Sequence, residues 1–477
     1  MTATTNRARP RPEVDGRWFL AFLGLQILVL ALALLLPSKL LYAAAAGLGA
    51  GLFLVLLVLH PWVIVPAVVA TTALDVTGQL LKQTVVGVPV TGFHLALALM
   101  MAGIVANTFV RRRTRFPEFE LRGPLFLLLG VMAVSLTYTP ALEDGTIGLM
   151  RTIVLVAFLY GAQIIIDSPR AVTFVLISMG AAMVVGSIMA VAQLLSEKFY
   201  LPASFVIAVG ANAPRATGTF QNPNTFGTFM MSGAVLLFGV LVFRRLSRWA
   251  RLATIGALAV ALGGLVMTFS RANWVAAGVG IAVALLLSGK LRYLWYVLVG
   301  STLGVMAIKE FVPFADHIYQ RFLSIFTLLL DLGAAGRESG SARVYFAIAG
   351  LEMWLDHPLL GAGWRAFPVL FDYYKPIDFP HWVPTKESHT LFANILAELG
   401  LVGFTASVWI VWRTLKRGIL AVRRAPDTYL GGVMCGLVAL FVAFQVSLSF
   451  TADFSNNFLW FFTGMIFAVA RLIDQQA

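Results

Sequence analysis

The chain has a single cysteine, Cys435, in 477 residues, which excludes an internal disulfide and any cysteine-cluster metal site. Cys435 lies in an apolar run, GGVMCGLVALFVAF, where inert packing is the expected role. Charge is also scarce: 12% of residues are charged, against about 25% in soluble domains. Acidic residues are the scarcest of these, 22 against 35 Lys and Arg, so the net charge is +13. The six histidines do not form a ligand set: His60, His94, His317, His357, His381 and His389 are scattered, with no HExxH and no Asp-x-Asp. A metal site therefore has no support in the sequence. The one adjacent acidic pair, Glu143-Asp144, falls in a turn, where solvated loop charges account for it. No internal repeat is visible, and no small-residue cleavage site closes the first apolar segment, which reads as a retained helix.

What is abundant is apolar surface. Hydrophobic residues make up 59% of the chain, and the mean hydropathy is +0.87. Both point to an all-α polytopic membrane protein. Apolar segments fall near 18–36, 40–59, 61–75, 93–110, 124–138, 146–166, 171–195, 224–243, 252–269, 274–288, 291–308, 390–412, 429–449 and 457–470. Each approaches the ~20 residues that a helix needs to span a bilayer. Three of them (61–75, 124–138 and 274–288) are short enough to be tilted, re-entrant or paired, so the expected bundle has about 12–14 transmembrane helices.

The positive charge is better read by position than as a nucleic-acid signal. With the amino terminus inside, alternate turns collect Arg7 to Arg17, Arg111 to Arg122, Arg170, Arg244 to Arg251, Lys290 and Arg292, Arg413 to Arg424, and Arg471. These hold 22 of the 35 Lys and Arg in short segments, which is the positive-inside pattern. Both termini are then cytoplasmic, nucleic acid is not an expected partner, and the basic clusters anchor helices at the membrane surface.

Three stretches remain for the outer side: 196–223, the turn Ser270-Arg271-Ala272-Asn273, and the 81 residues from Lys309 to His389. Loops beyond ~15 residues are usually functional or carry structure of their own. In the long one, Ile318, Phe322, Ile325 and Leu329 recur at helical spacing, and SARVYFAIAGLEMWLD also reads as helix. Short interfacial helices are expected there. The tract FDYYKPIDFPHW suits a lid or sugar-binding surface, and equally an interfacial aromatic belt. The expected organisation is therefore 1–308 as helices with short loops, 309–389 as the large outer loop, and 390–477 as the C-terminal helices.

The candidate site residues come from these outer stretches. Arg215 sits in PRATGTFQNPNTFG, a turn entering a helix that Asn222 or Asn224 would cap. Arg271 sits at the mouth of two helices. An isolated arginine there would simply snorkel to the headgroups, but two at one depth offer guanidinium forks suited to bidentate phosphate binding. Arg343 is a third candidate, and Arg151 is expected about one turn inside its helix. His389, in KESHTLFANILAELGLVG, opens a helix on the outer side, and its ordinary pKa near 6.5 lets it act as a neutral base.

The series GTFQNPN after Arg215, then FSRANW, SARVYFAIAGLEMWLDHPLLGAGWRAF and SHTLFANILAELGLVG resembles the O-antigen ligase and O-antigen polymerase superfamily over about 215–403. The tracts DHPLLGAG, SHTLF and AELGLVG carry most of the likeness. Thr390 stands where an asparagine or serine commonly follows the histidine, and it keeps a hydroxyl. The resemblance implies a bacterial inner-membrane glycosyltransferase with a long periplasmic loop. The implied donor is a glycan on a polyprenyl pyrophosphate, and the acceptor is lipid A core oligosaccharide or a second carrier-linked glycan. It also implies that Arg215, Arg271 and His389 are the essential residues, with Arg343, Arg151 and Asn224 as binding candidates and no cofactor or metal. Ligation to lipid A core is the favoured activity, polymerisation is the alternative, and protein O-oligosaccharyl transfer is a third variant. A transporter with an outer anion vestibule belongs to a different class. Counterflow in proteoliposomes would reveal it, although transporters usually show paired halves and mid-membrane charges.

Overall fold

A computed structural model describes residues 64, 68–69, 83–85, 88–90, 92–111, 116–196, 208–209, 213–220, 222–243, 246–308, 316, 318–323, 339–377, 379, 391–450 and 456–476. The fold is all-α apart from two minimal antiparallel ribbons, β1 (Gln83–Val85) with β2 (Val88–Val90) and β3 (Ala208–Val209) with β4 (Ala213–Pro214). The helices are α1 (Gly92–Ala106, continued by a π-helical turn Asn107–Arg111), α2 (Arg122–Ser135), α3 (Leu142–Ile165), α4 (Pro169–Leu195) and α5 (Pro223–Phe243). They continue with α6 (Arg248–Met267), α7 (Arg271–Leu287), α8 (Leu294–Ile308), α9 (Ser339–Asp356) and α10 (Phe367–Tyr374). The last three are α11 (Leu391–Arg424), α12 (Tyr429–Leu448) and α13 (Asn457–Asp474). Seven of these are long and apolar enough to cross a membrane (α3, α4, α5, α6, α11, α12 and α13), and shorter apolar helices accompany them. The chain is a multi-pass membrane protein. The first three expected spans lie almost wholly outside the described residues.

Helix α12 is the hub, packing on α5, α7, α11 and α13, while α3 pairs with α13 and α4 with α6. The side chains of α5, α12 and α13 are buried nearly all round, whereas α4 and α6 turn most of theirs outward. The outward side chains of α4 and α6 are mostly apolar, because lipid is as acceptable a neighbour as protein. Where α5 crosses α12, Gly239 lies against Gly436, and a Cβ on either would strike the opposing backbone. Small residues of this kind let spanning helices approach closely.

The two ends of the bundle differ chemically. At one end Arg417 bonds Glu120 at 2.9 Å and Asp474 at 2.6 Å, and Arg424 joins Asp474 at 2.9 Å. Arg471 there donates to the carbonyls of Gln163 and Ile166, closing the C-terminus of α3. These residues belong to turns that the charge count places in the cytoplasm.

The opposite end carries the long loop, and here the structure departs from the expected span 390–412. Helix α11 runs to Arg424 and breaks at Gly400 (φ 61°, ψ −162°), leaving a half-helix 391–399 and a membrane-length helix 401–424 of about 36 Å. The break accommodates the stretch DHPLLGAG. Leu401 N–H donates to Pro358 O and Val402 N–H to Leu359 O, while Ala362 and Gly363 donate to Ala397 O and Glu398 O, all at 2.8–3.1 Å. A side chain at Gly361 or Gly400 would run into the facing backbone. The same stretch is strapped to the α2–α3 connection. Tyr138 Oη donates to Leu360 O at 2.8 Å and Thr139 Oγ1 to Trp364 O at 2.9 Å, while Ser135 Oγ accepts from Trp364 N–H at 3.1 Å. The buried Glu398 carboxylate accepts from Phe367 N–H at the start of α10, where a helix end favours negative charge.

Candidate functional site

At the loop end of the bundle, the segment after β4 and the first turns of α5 and α7 meet in one polar network. Arg215 follows β4 directly and is half-buried. Its Nε donates to Thr268 O at 2.9 Å, and its Nη2 donates to Asn224 Oδ1 at 2.8 Å. The same oxygen accepts from Ser270 Oγ at 3.1 Å. A guanidinium only donates, so the Asn224 atom facing it must be the carbonyl oxygen. Asn273, in the first turn of α7, donates through Nδ2 to Asn224 O at 2.9 Å and to Ser270 Oγ at 3.1 Å. Its Oδ1 accepts from Thr228 at 3.2 Å and from Ser447, on the last turn of α12, at 2.9 Å.

Arg271 is the first residue of α7, next to Ser270 and three residues beyond Thr268, and is half-buried. The intervening Phe269 has φ 52°, a left-handed conformation that costs a bulky L-residue roughly 1–2 kcal/mol. That twist turns successive carbonyls to different arginines. Thr268 O takes Arg215, and Phe269 O takes Arg321 Nε at 3.4 Å, from the helical residues 318–323 of the long loop.

A buried glutamine holds the Arg215 segment from beneath. Gln193, in the last turn of α4, accepts at Oε1 from the N–H groups of Thr217 and Gly218, both at 2.9 Å. Its Nε2 donates to Gly218 O at 2.9 Å and Thr217 Oγ1 at 3.1 Å. Gly218 (φ 56°) lies under the Phe226 ring, where a Cβ would approach to 2.6 Å. The N-termini of α5 and α7 thus open together beside the Arg215 and Arg321 guanidinium groups, and helix N-termini carry partial positive charge.

The expected site residues fall as follows. Arg215, Asn224 and the turn bearing Arg271 come together. Arg343 lies in α9, and only its backbone is described. His389 lies outside the described residues. The next described residue along the chain, Leu391, is buried against Leu448 and Leu459, and Leu448 directly follows the Ser447 that bonds Asn273. Arg151 is deeper than one turn, because α3 begins at Leu142; nine residues at 1.5 Å each put it about 14 Å along the helix. The sequence reading missed Gln193, Ser270, Asn273 and Arg321. Of these, Asn273 and Ser270 flank Arg271 in the quoted motif, while Gln193 sits in an apolar run without a motif.

Next to this network, between α3, α11, α12 and α13, lies a small apolar cavity of about 50 Å³. Leu391, Phe392, Leu448 and Leu459 line its outer rim, and Val411 and Phe441 lie deeper. Gln445, Ser407 and Thr463 are the polar side chains in its wall.

A basic turn at one end of an apolar multi-helix bundle, beside a small apolar cavity, belongs to a polytopic membrane protein. Residues 256–408 match the family model described as O-Antigen ligase. Over that stretch, which holds Arg271, Arg343 and His389, the likeness of the chain to the O-antigen ligase superfamily is shown. The match supports a glycosyltransferase-type enzyme of lipopolysaccharide-related assembly, of ligase or polymerase type. No curated protein matches the chain.

Proposed function

We propose that the chain transfers a glycan from a polyprenyl pyrophosphate to an acceptor hydroxyl at the periplasmic face of a bacterial inner membrane, with lipid A core oligosaccharide as the acceptor. The observation that carries this reading is the sharing of Asn224 Oδ1 by Arg215 and Ser270, which joins the two motif segments bearing Arg215 and Arg271 into one cationic turn. Both termini are cytoplasmic in this reading, and 309–389 forms the periplasmic part between two sets of helices.

In the reaction, Arg215 and Arg271, joined by Arg321 and Arg343, hold the diphosphate and stabilise the charge that gathers on it as the sugar departs. His389 takes the proton of the acceptor hydroxyl. The hydroxyl oxygen bonds to the anomeric carbon from the face opposite the leaving group, the carbon–oxygen bond to the diphosphate breaks, and the configuration inverts. General-base assistance contributes typically 10²–10⁴-fold. Guanidinium groups do the work a metal ion does elsewhere. The carrier's lipid tail lies in a groove between the helices, beside the network. Asn224 and Arg151 complete the proposed binding set.

The test is reconstitution of the full chain with a polyprenyl pyrophosphate-linked glycan and two acceptors, lipid A core and a second carrier-linked unit. Product on lipid A core supports the ligase, and lengthened carrier-linked product makes the protein a polymerase. Arg215→Ala, Arg271→Ala and His389→Ala abolish transfer at normal expression. Near wild-type turnover in His389→Ala removes the histidine from the mechanism.

A further inference from the structure

The amide of Asn273 has every hydrogen-bonding position filled, although the side chain is only 1% exposed. Its two N–H groups go to Asn224 O and Ser270 Oγ, and its oxygen accepts from Thr228 Oγ1 and Ser447 Oγ. These partners tie α7 to α5 and to the last turn of α12. A flipped amide would set the Asn273 oxygen against the Asn224 carbonyl, two acceptors face to face, so one orientation is fixed. Helix α5 admits the side chain because residue 227 is glycine; a Cβ there would stand 2.7 Å from Asn273 Nδ2.

That orientation sets the direction of the next bond in the chain. Ser270 Oγ takes an N–H from Asn273, so its own hydrogen is left for Asn224 Oδ1, which it meets at 3.1 Å. Arg215 Nη2 donates to the same oxygen at 2.8 Å. With both donors converging on Oδ1, the planar Asn224 amide turns its NH2 away from Ser270 and the guanidinium. Among the described residues no group accepts from that NH2, and Asn224 is half-buried at the opening of α5. Two directed donors therefore stand beside the Arg215 charge without adding a charge of their own.

We propose that Asn273 is a positioning residue: acting through Ser270, it keeps the Asn224 NH2 turned toward the oxygens of a diphosphate held by Arg215. The identity of that anion as the carrier's diphosphate rests on the glycosyl-transfer reading; the positioning does not. The competing role for Asn273 is that of a strut between α5, α7 and α12. A strut affects binding whether or not Asn224 has its side chain, whereas a group acting through Asn224 has no effect on binding once that side chain is gone. A double-mutant cycle separates the two.

The full chain in phosphatidylcholine nanodiscs is titrated with a polyprenyl diphosphate and, separately, with inorganic pyrophosphate. The set is wild type, Asn273→Ala, Ser270→Ala, Asn224→Ala, and the Asn273 and Ser270 changes each combined with Asn224→Ala. Asn273→Ala and Ser270→Ala are each expected to weaken binding of both probes about fivefold, the scale of one neutral hydrogen bond. Neither weakens binding further in the Asn224→Ala background, while the melting temperature drops by the same amount when Asn273 is replaced in either background. Losses that multiply with that of Asn224→Ala make Asn273 a strut only and overturn the proposal, as does wild-type affinity in Asn273→Ala; carrier binding then still stands. If Asn273→Ala does not accumulate as folded protein, the Ser270→Ala pair, which removes a single hydroxyl, decides by the same criterion. Coupling seen with pyrophosphate when polyprenyl diphosphate fails to bind the wild type keeps the positioning and sinks the carrier reading. Binding of neither probe to the wild type overturns both.

Discussion

Replacing Asn224 in two ways separates a positional role for Arg215 from an electrostatic one. In Asn224→Ala the guanidinium loses Oδ1 at 2.8 Å and keeps Thr268 O at 2.9 Å. A hydrogen bond to a charged group is worth about 1.5–3 kcal/mol net. Arg215 is half-buried, so water replaces part of this, and about 1.4 kcal/mol, or tenfold in kcat/KM, is expected. Asn224→Asp keeps an acceptor at the same place and holds Arg215 more firmly, but it adds a negative charge beside the bound diphosphate. At about 6 Å and an effective dielectric constant of 20, that repulsion comes to nearly 3 kcal/mol, roughly a hundredfold. The prediction is an inverted order: the variant with the stronger Arg215 contact is the worse enzyme. Transfer rates in proteoliposomes with a defined polyprenyl pyrophosphate glycan, together with carrier binding, measure both terms. Asn224→Asp matching or exceeding Asn224→Ala would refute the idea that Arg215 acts as a cation on the substrate.

Three other outcomes are expected. Gln193→Leu strips the acceptor from the Thr217 and Gly218 N–H groups inside the protein, at about 1–3 kcal/mol for each buried orphan; a clear fall in melting temperature and in transfer should accompany each other. Gly400→Val places a β-branched side chain at φ 61° against the Leu359 carbonyl and should lower stability by more than 2 kcal/mol or prevent accumulation of folded protein, whereas Gly278→Ala, with open space around it, should behave as wild type. Tyr374 is pushed up to about 12 by burial and by its hydrogen bond to the Asp356 carboxylate at 2.8 Å. A raised pKa favours the protonated phenol in the fold, so this contact stabilises α10 fully below about pH 10 and is lost as pH rises through about 12. Wild type should therefore melt above Tyr374→Phe at pH 8 and converge with it above pH 12.

Much of the architecture was legible in the chain, because two strong physical signals write it there. Apolar length marks the spans, and the alternation of Arg and Lys between turns sorts their ends; the Arg417–Asp474–Arg424 cluster and the Arg215–Asn224 network indeed occupy opposite ends. The motif residues around Arg215 and Arg271 were legible for the same reason, as polar groups stranded among apolar helices. Long-range pairing was not legible. AELGLVG reads as uninterrupted helix until the backbone of 358–363 comes up against it, and nothing local at Gly400 announces that approach. Gln193 is one polar side chain in an apolar run, and its partners are 24 and 25 residues away. Arg151 was placed too shallow because the polar turn Glu143-Asp144-Gly145 belongs to the helix, where acids suit its first turn, rather than to the loop before it.

The backbone zipper between 358–363 and 397–402 sets where this protein tolerates changes of length. Adding or deleting one residue inside either stretch would shift every later pair out of step and carry a side chain into a glycine's place. Exchange of segments between proteins of this kind therefore has to move both clasped stretches as an intact pair.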